Sequence, residues 1–124
     1  MPASQHGRDL EIRVERHDEH IVLRVAGELD FHDVPAFYAH LDQAWISPGG
    51  GPRVIVDLAG LTFCDSAGLG ALIYAYNQVT AANGRFVLVA VPDNLRRRMR
   101  MSGLDRHLEC RDTIDQAVQD ADVV

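Results

Sequence analysis

"RVIVDLAGLTFCDSAGLGALIYAYNQVTAANGRFVLVAV", Arg53 to Val91, changes its hydrophobic period twice. It opens on "RVIVDL" (Arg53 to Leu58), a short, β-branched and nearly continuous apolar run of the kind buried on both faces of a parallel sheet, which predicts a central strand. From Ser66 to Asn83 the apolar residues Leu69, Leu72, Ile73, Tyr76 and Val79 recur at helical spacing, and Gly84 stands where a helix-ending glycine takes positive φ. "RFVLVAV" (Arg85 to Val91) then reads as a second buried strand. Strand, helix and strand in that order form a crossover whose two strands run parallel.

The flanks complete an α/β domain. Leu10, Ile12 and Val14 alternate with Glu11, Arg13 and Glu15, and after the polar run His17 to Glu19 the residues Ile21, Leu23 and Val25 alternate in turn, which predicts an antiparallel hairpin. "GELD" (Gly27 to Asp30) follows, then an amphipathic helix from Asp33 to Trp45, with Asp33 as acidic N-cap and Pro35 in its first turn, closed by "SPGGGP" (Ser47 to Pro52). Beyond Val91, Asp93 is placed to cap a short helix through Met101 that Gly103 ends. His107 to Glu109 reads as a brief edge strand, and Asp112 to Asp120 as a final helix. The expected architecture is a small mixed β-sheet, an N-terminal hairpin leading into parallel βαβ crossovers, with about four helices packed mainly on one face. Residues 1–9 read as a flexible leader, 10–120 as the domain and 121–124 as a tail.

Composition narrows the function. With 124 residues and 47% hydrophobic content, the chain can bury a cooperative core without metal or disulfide help. Its 12 basic residues are all arginine, so Schiff-base chemistry and the phosphate-binding lysine of a Walker loop are excluded. Against 18 acids they leave a net charge of −6, which argues against nucleic acid and for a protein partner with a basic face. Cys64 and Cys110 match no zinc spacing, and no signal peptide or membrane-length apolar run is present, so a cytoplasmic chain with buried, reduced thiols is expected. The six histidines (His6, His17, His20, His32, His40, His107) lie on different predicted elements without ligand spacing, so neither a metal nor a cofactor is expected. "RRRMR" (Arg96 to Arg100) is the one dense basic run, either a solvated face or a surface for an acidic patch on a partner.

Chemistry concentrates at "FCDSAGLGAL", Phe63 to Leu72. Asp65 or Ser66 is placed to cap the helix, but capping does not explain Gly68 and Gly70, each of which costs about 1 kcal/mol against alanine in a first turn. A phosphate-binding loop fits poorly: Ile73 occupies the third glycine position, there is no lysine, and Asp65 repels an anion. A nucleophilic serine would need Asp105 and His107 as partners, and Cys64 stands where the turn of a hydrolase carries glycine. An exposed serine flanked by small residues at a helix start also suits modification by another protein's kinase, since a helix N-terminus tolerates the added charge.

"GELD", "VIVDLAGLTFCDSAGLGAL" (Val54 to Leu72) and "RMRMSGLDRHL" (Arg98 to Leu108) together resemble the STAS domain of bacterial anti-sigma factor antagonists, over about Leu10 to Val118. The resemblance implies the STAS fold and a protein switch without catalytic activity of its own. Unphosphorylated, such a domain binds an anti-sigma factor that is also an ATP-using serine kinase, which frees the sigma factor; phosphorylation switches it off and a PP2C-like phosphatase restores it. The phosphorylated serine falls on Ser66, and Gly27, Glu28, Asp30, Asp65, Ala67, Gly68, Leu69 and Gly70 fall on the partner-binding surface. The sequence departs from the frequent family form at Ala67, where serine or threonine often follows the phosphosite, and in having Cys64 before Asp65. A STAS module of another signalling or lipid-transport assembly is the alternative, and a monomer or weak dimer is expected.

Overall fold

The computed structural model describes residues 9–17, 19–44 and 51–122. Five strands, β1 (Glu11–Arg16), β2 (Ile21–Leu29), β3 (Arg53–Cys64), β4 (Arg85–Val89) and β5 (Glu109–Arg111), lie side by side in that order. β1 is antiparallel to β2, and every later neighbour is parallel. Four helices connect them: α1 (Val34–Ala44), α2 (Ser66–Ala81), α3 (Asp93–Ser102) and α4 (Ile114–Asp122), with a short 3₁₀ turn at Leu104–Arg106. The expected leader, apart from Asp9, lies outside the described residues, as do Trp45, His6 and the Ser47–Gly50 break; the expected tail overlaps α4, which runs to Asp122.

Alternation along the strands sorts the core onto two faces. Leu23, Val25, Val54, Val56, Leu58, Phe86 and Leu88 point to one side, where Phe37 and Leu41 of α1, Leu72, Ala75 and Val79 of α2, and Leu95 and Met99 of α3 close over them. Val22, Ile55, Val87 and Val89 point to the other, covered by Ala117 with Ile114 and Val118 of α4. Beyond α4 that second face is polar: Arg24 bridges Glu15 at 2.5 Å and Asp57 at 2.7 Å across three strands.

Several boundaries differ from the sequence expectation. α2 ends in a Schellman motif in which Asn83, not Gly84, takes positive φ (62°), while Gly84 N–H donates to the Val79 carbonyl at 2.8 Å. Gly84 is required for another reason: an added Cβ would lie 2.1 Å from the Pro52 carbonyl oxygen. Asp93 is the first residue of α3 rather than its cap, a position held by Pro92; Gly103 ends that helix at φ 81° as expected. The edge strand begins at Glu109, two residues later than expected, because Leu104–Arg106 is taken up by the 3₁₀ turn.

Candidate functional site

β3 is twice as long as its apolar run suggests. Its pairing with β4 stops at Asp57, but Gly60 to Cys64 continue along β2 alone, matching Ala26↔Gly60, Gly27↔Leu61, Glu28↔Phe63 and Leu29↔Cys64. Two register shifts insert an extra β3 residue each, so burial along Leu58, Leu61 and Cys64 recurs every third residue. At the second shift the Thr62 hydroxyl donates to the Gly27 carbonyl at 3.0 Å, which satisfies a group the irregular ladder leaves open. This bulged ribbon carries "GELD" and "CDS" to the same end of the sheet.

Asp65 joins the two. It is the N-cap of α2 in extended conformation, and its Oδ1 accepts from Gly68 N–H at 2.8 Å. Its Oδ2 accepts from Phe31 N–H at 3.2 Å, tying the β2–α1 turn to the helix start. Asp65 N–H in turn donates to the Leu29 carbonyl at 3.3 Å. Within the β2–α1 turn, the Asp30 carboxylate accepts from His32 N–H at 3.0 Å. Burial holds the Asp33 carboxyl above the usual carboxylate range, reinforced by a hydrogen bond and like charge from Asp30 and by the charge of Asp9.

The cap is therefore Asp65 and not Ser66. Ser66 is the first helical residue, exposed beside exposed Ala67, and among the described residues its hydroxyl forms no hydrogen bond. The glycines also divide. A Cβ on Gly68 would lie 2.2 Å from the Leu29 carbonyl oxygen and 3.0 Å from Cys64 Sγ, so its clearance serves the chain's own packing. At Gly70 an added Cβ would meet nothing within 4 Å, and the residue faces solvent. At Gly27, φ 90°, an added Cβ would lie 2.2 Å from the Asp9 carbonyl oxygen, so this position too is a packing requirement. Glu28 and Asp30 are each 9% exposed, and Leu69 is half-buried, so Asp65, Ser66, Ala67 and Gly70 form the accessible rim.

Two residues that sequence reasoning passed over belong to the rim. Phe31 is 63% exposed with its ring against His32 (centroids 4.3 Å apart), and Phe63 is 47% exposed, two residues before Asp65. Each stands next to a recognised motif, which was the available signal. Arg98 of the "RRRMR" run also reaches the site, where it donates to the Cys64 carbonyl. Burial pushes the Cys64 thiol up to about 11, only partly offset by Arg98, so the thiol stays protonated and packs as a small hydrophobe. Asp105 and His107 are exposed on and just after the 3₁₀ turn, and neither is hydrogen-bonded to Ser66. Among the described residues no group of three or more His, Cys, Asp or Glu could hold a metal, and no helix is long and apolar enough to cross a membrane.

A profile of the STAS domain matches residues 11–119. The chain belongs to the STAS domain family. Among its STAS relatives, the anti-sigma F factor antagonist of Paenibacillus polymyxa is 28% identical over 116 residues, covering 94% of this chain and 98% of that protein. The crystal structure of an anti-sigma factor antagonist from Mycobacterium paratuberculosis superposes with a TM-score of 0.76 at 29% identity, covering 90% and 92% of the two chains. The Bacillus cell fate determinant SpoIIAA in its phosphorylated form gives a TM-score of 0.69 at 26% identity, covering 90% and 99%. The expected mixed sheet with hairpin and crossovers is the observed STAS fold, with three helices on one face and α4 on the other.

Proposed function

We propose that this STAS domain is an anti-sigma factor antagonist. Its unphosphorylated form binds an anti-sigma factor that is also an ATP-using serine kinase and so releases the sigma factor; phosphorylation of Ser66 switches it off, and a PP2C-like phosphatase resets it. The observation that carries this reading is that Ser66 is exposed at the first position of α2 while Asp65 supplies the cap, so the hydroxyl can be modified without dismantling the helix start. The relatives named as anti-sigma factor antagonists, and the phosphorylated form of SpoIIAA, support the same reading.

The energetics agree. Phosphate at the first turn of a helix gains about 0.3–1 kcal/mol from the dipole and the unsatisfied N–H groups, so the domain itself tolerates it. A partner seated over Ser66, Ala67 and Gly70 instead meets a dianion beside the Asp65 carboxylate. A 100-fold loss of affinity needs only about 2.7 kcal/mol. Incubation with ATP and a candidate anti-sigma factor kinase, followed by mass spectrometry, tests this: phosphate is expected on Ser66 and none on a Ser66→Ala variant. Ser66→Ala is expected to keep kinase binding and Ser66→Glu to lose it. Phosphate at another residue, or equal affinities for the two variants, would sink the reading.

A further inference from the structure

We infer that the arginine face of α3, with the groove between it and the end of β3, is the second half of the partner-binding surface and takes an acidic segment of the anti-sigma kinase that carries an apolar anchor. The inference rests on the function proposed above and adds the chemistry of the partner's contact. The groove is lined by Phe63 and Cys64 from β3 and by Asn94, Leu95 and Arg98 from α3, so it adjoins the Asp65–Ser66 turn directly. Asn94, Arg98 and Met101 fall at i, i+4 and i+7 on α3, so Met101 continues the side of the helix from which Asn94 and Arg98 line the groove.

Two apolar side chains of this surface stand in water: Phe63, in the groove lining, is 47% exposed, and Met101, on the same side of α3 as Asn94 and Arg98, 80%. Along α3 the charge is predominantly positive, with Asp93 in the first turn as the helix's one acid. Residues 96–100 hold four arginines and no acid, in a chain of net charge −6. Arg98 is committed to the Cys64 carbonyl and Arg96 reaches Asp112 at 3.6 Å, whereas Arg97 and Arg100 are exposed and form no ion pair among the described residues. Arginine and methionine flanking an aromatic side chain is the composition of a protein contact, and the positive patch selects a negatively charged segment. The accessible rim at Ser66 carries the Asp65 carboxylate instead, so the two parts of the surface differ in charge, which fixes which way round the partner docks.

The test uses the kinase that phosphorylates Ser66 in the assay above and measures its binding to Arg97→Glu/Arg100→Glu and to Met101→Ala by surface plasmon resonance. All three side chains are exposed, and circular dichroism confirms that the variants fold. Reversing the two rim charges is expected to slow association about tenfold at low salt, with the gap closing at 0.5 M salt. Met101→Ala is expected to speed dissociation about fivefold. Wild-type rate constants in both variants would overturn this inference while leaving the Ser66 switch standing; absence of any kinase that modifies Ser66 would overturn both. Self-association, or binding of a single-stranded RNA, that is abolished in Arg97→Glu/Arg100→Glu while kinase binding is unchanged would assign the face to that other occupant and refute the proposal.

Discussion

Replacing Asp65 and Ser66 in turn separates the cap from the proposed phosphorylation site. Asp65→Ala removes the Oδ1 acceptor of Gly68 N–H at 2.8 Å and the Oδ2 acceptor of Phe31 N–H at 3.2 Å. Loss of an N-cap costs about 1 kcal/mol, and the longer, exposed bond to Phe31 adds about 0.5 to 1 kcal/mol, for a total near 2 kcal/mol. At about 2.1 cal/mol/K of unfolding entropy per residue, this corresponds to a fall in Tm of roughly 7 °C for a domain of this size. Asp65→Asn keeps an acceptor for the cap but offers an amide N–H₂ toward Phe31, so it should lose only the second part. Ser66→Ala removes a hydroxyl that bonds nothing in the described residues and should stay within about 0.5 kcal/mol of wild type. Thermal and urea unfolding followed by circular dichroism, with unchanged m-values, gives the three differences. If Ser66→Ala costs more than Asp65→Ala, the serine is the cap, and the claim that modification leaves the helix start intact fails.

The glycines give a second contrast in the same assay: Gly68→Ala should destabilise by about 2–3 kcal/mol, because its Cβ collides with the Leu29 carbonyl, whereas Gly70→Ala should be neutral or stabilise by up to about 1 kcal/mol. Equal effects would contradict the packing. Asp33→Asn should raise Tm at pH 7, because the ionised carboxyl is partly desolvated and sits beside Asp30 at a cost in the folded state. Since the folded protein holds that proton more tightly than the unfolded chain, the wild type recovers the difference as pH falls through the raised folded pKa toward the ordinary carboxylate value, and below that value the two melting curves should have converged. A gap that widens on acidification would reverse the assignment. Cys64, with its thiol pushed up to about 11 from an ordinary value of 9.0, should be alkylated by iodoacetamide at pH 8 about 100-fold more slowly in the folded protein than in denaturant. A rate close to the denatured one would make it a reactive thiol.

What could be read from the sequence was what neighbours in the chain encode. The alternation of Leu10 to Val25, the apolar runs at Arg53 and Arg85 and the helical spacing from Leu69 to Val79 determine hairpin and crossover, and the observed sheet follows them. The "GELD" and "DSAGLG" motifs likewise marked the two segments that meet at the site. Their meeting was not legible, because it depends on two bulges in β3 that break the alternation beyond Leu58 and on bonds between residues more than thirty positions apart, such as Phe31 with Asp65 and Arg98 with Cys64. Capping rules alone allow Asp65 or Ser66 to start α2 equally well. Tertiary structure chose Asp65, whose second oxygen also has Phe31 to bind, and left the serine hydroxyl in solvent. Local periodicity is a property of the chain, but which polar group is free is decided by partners that only the fold supplies.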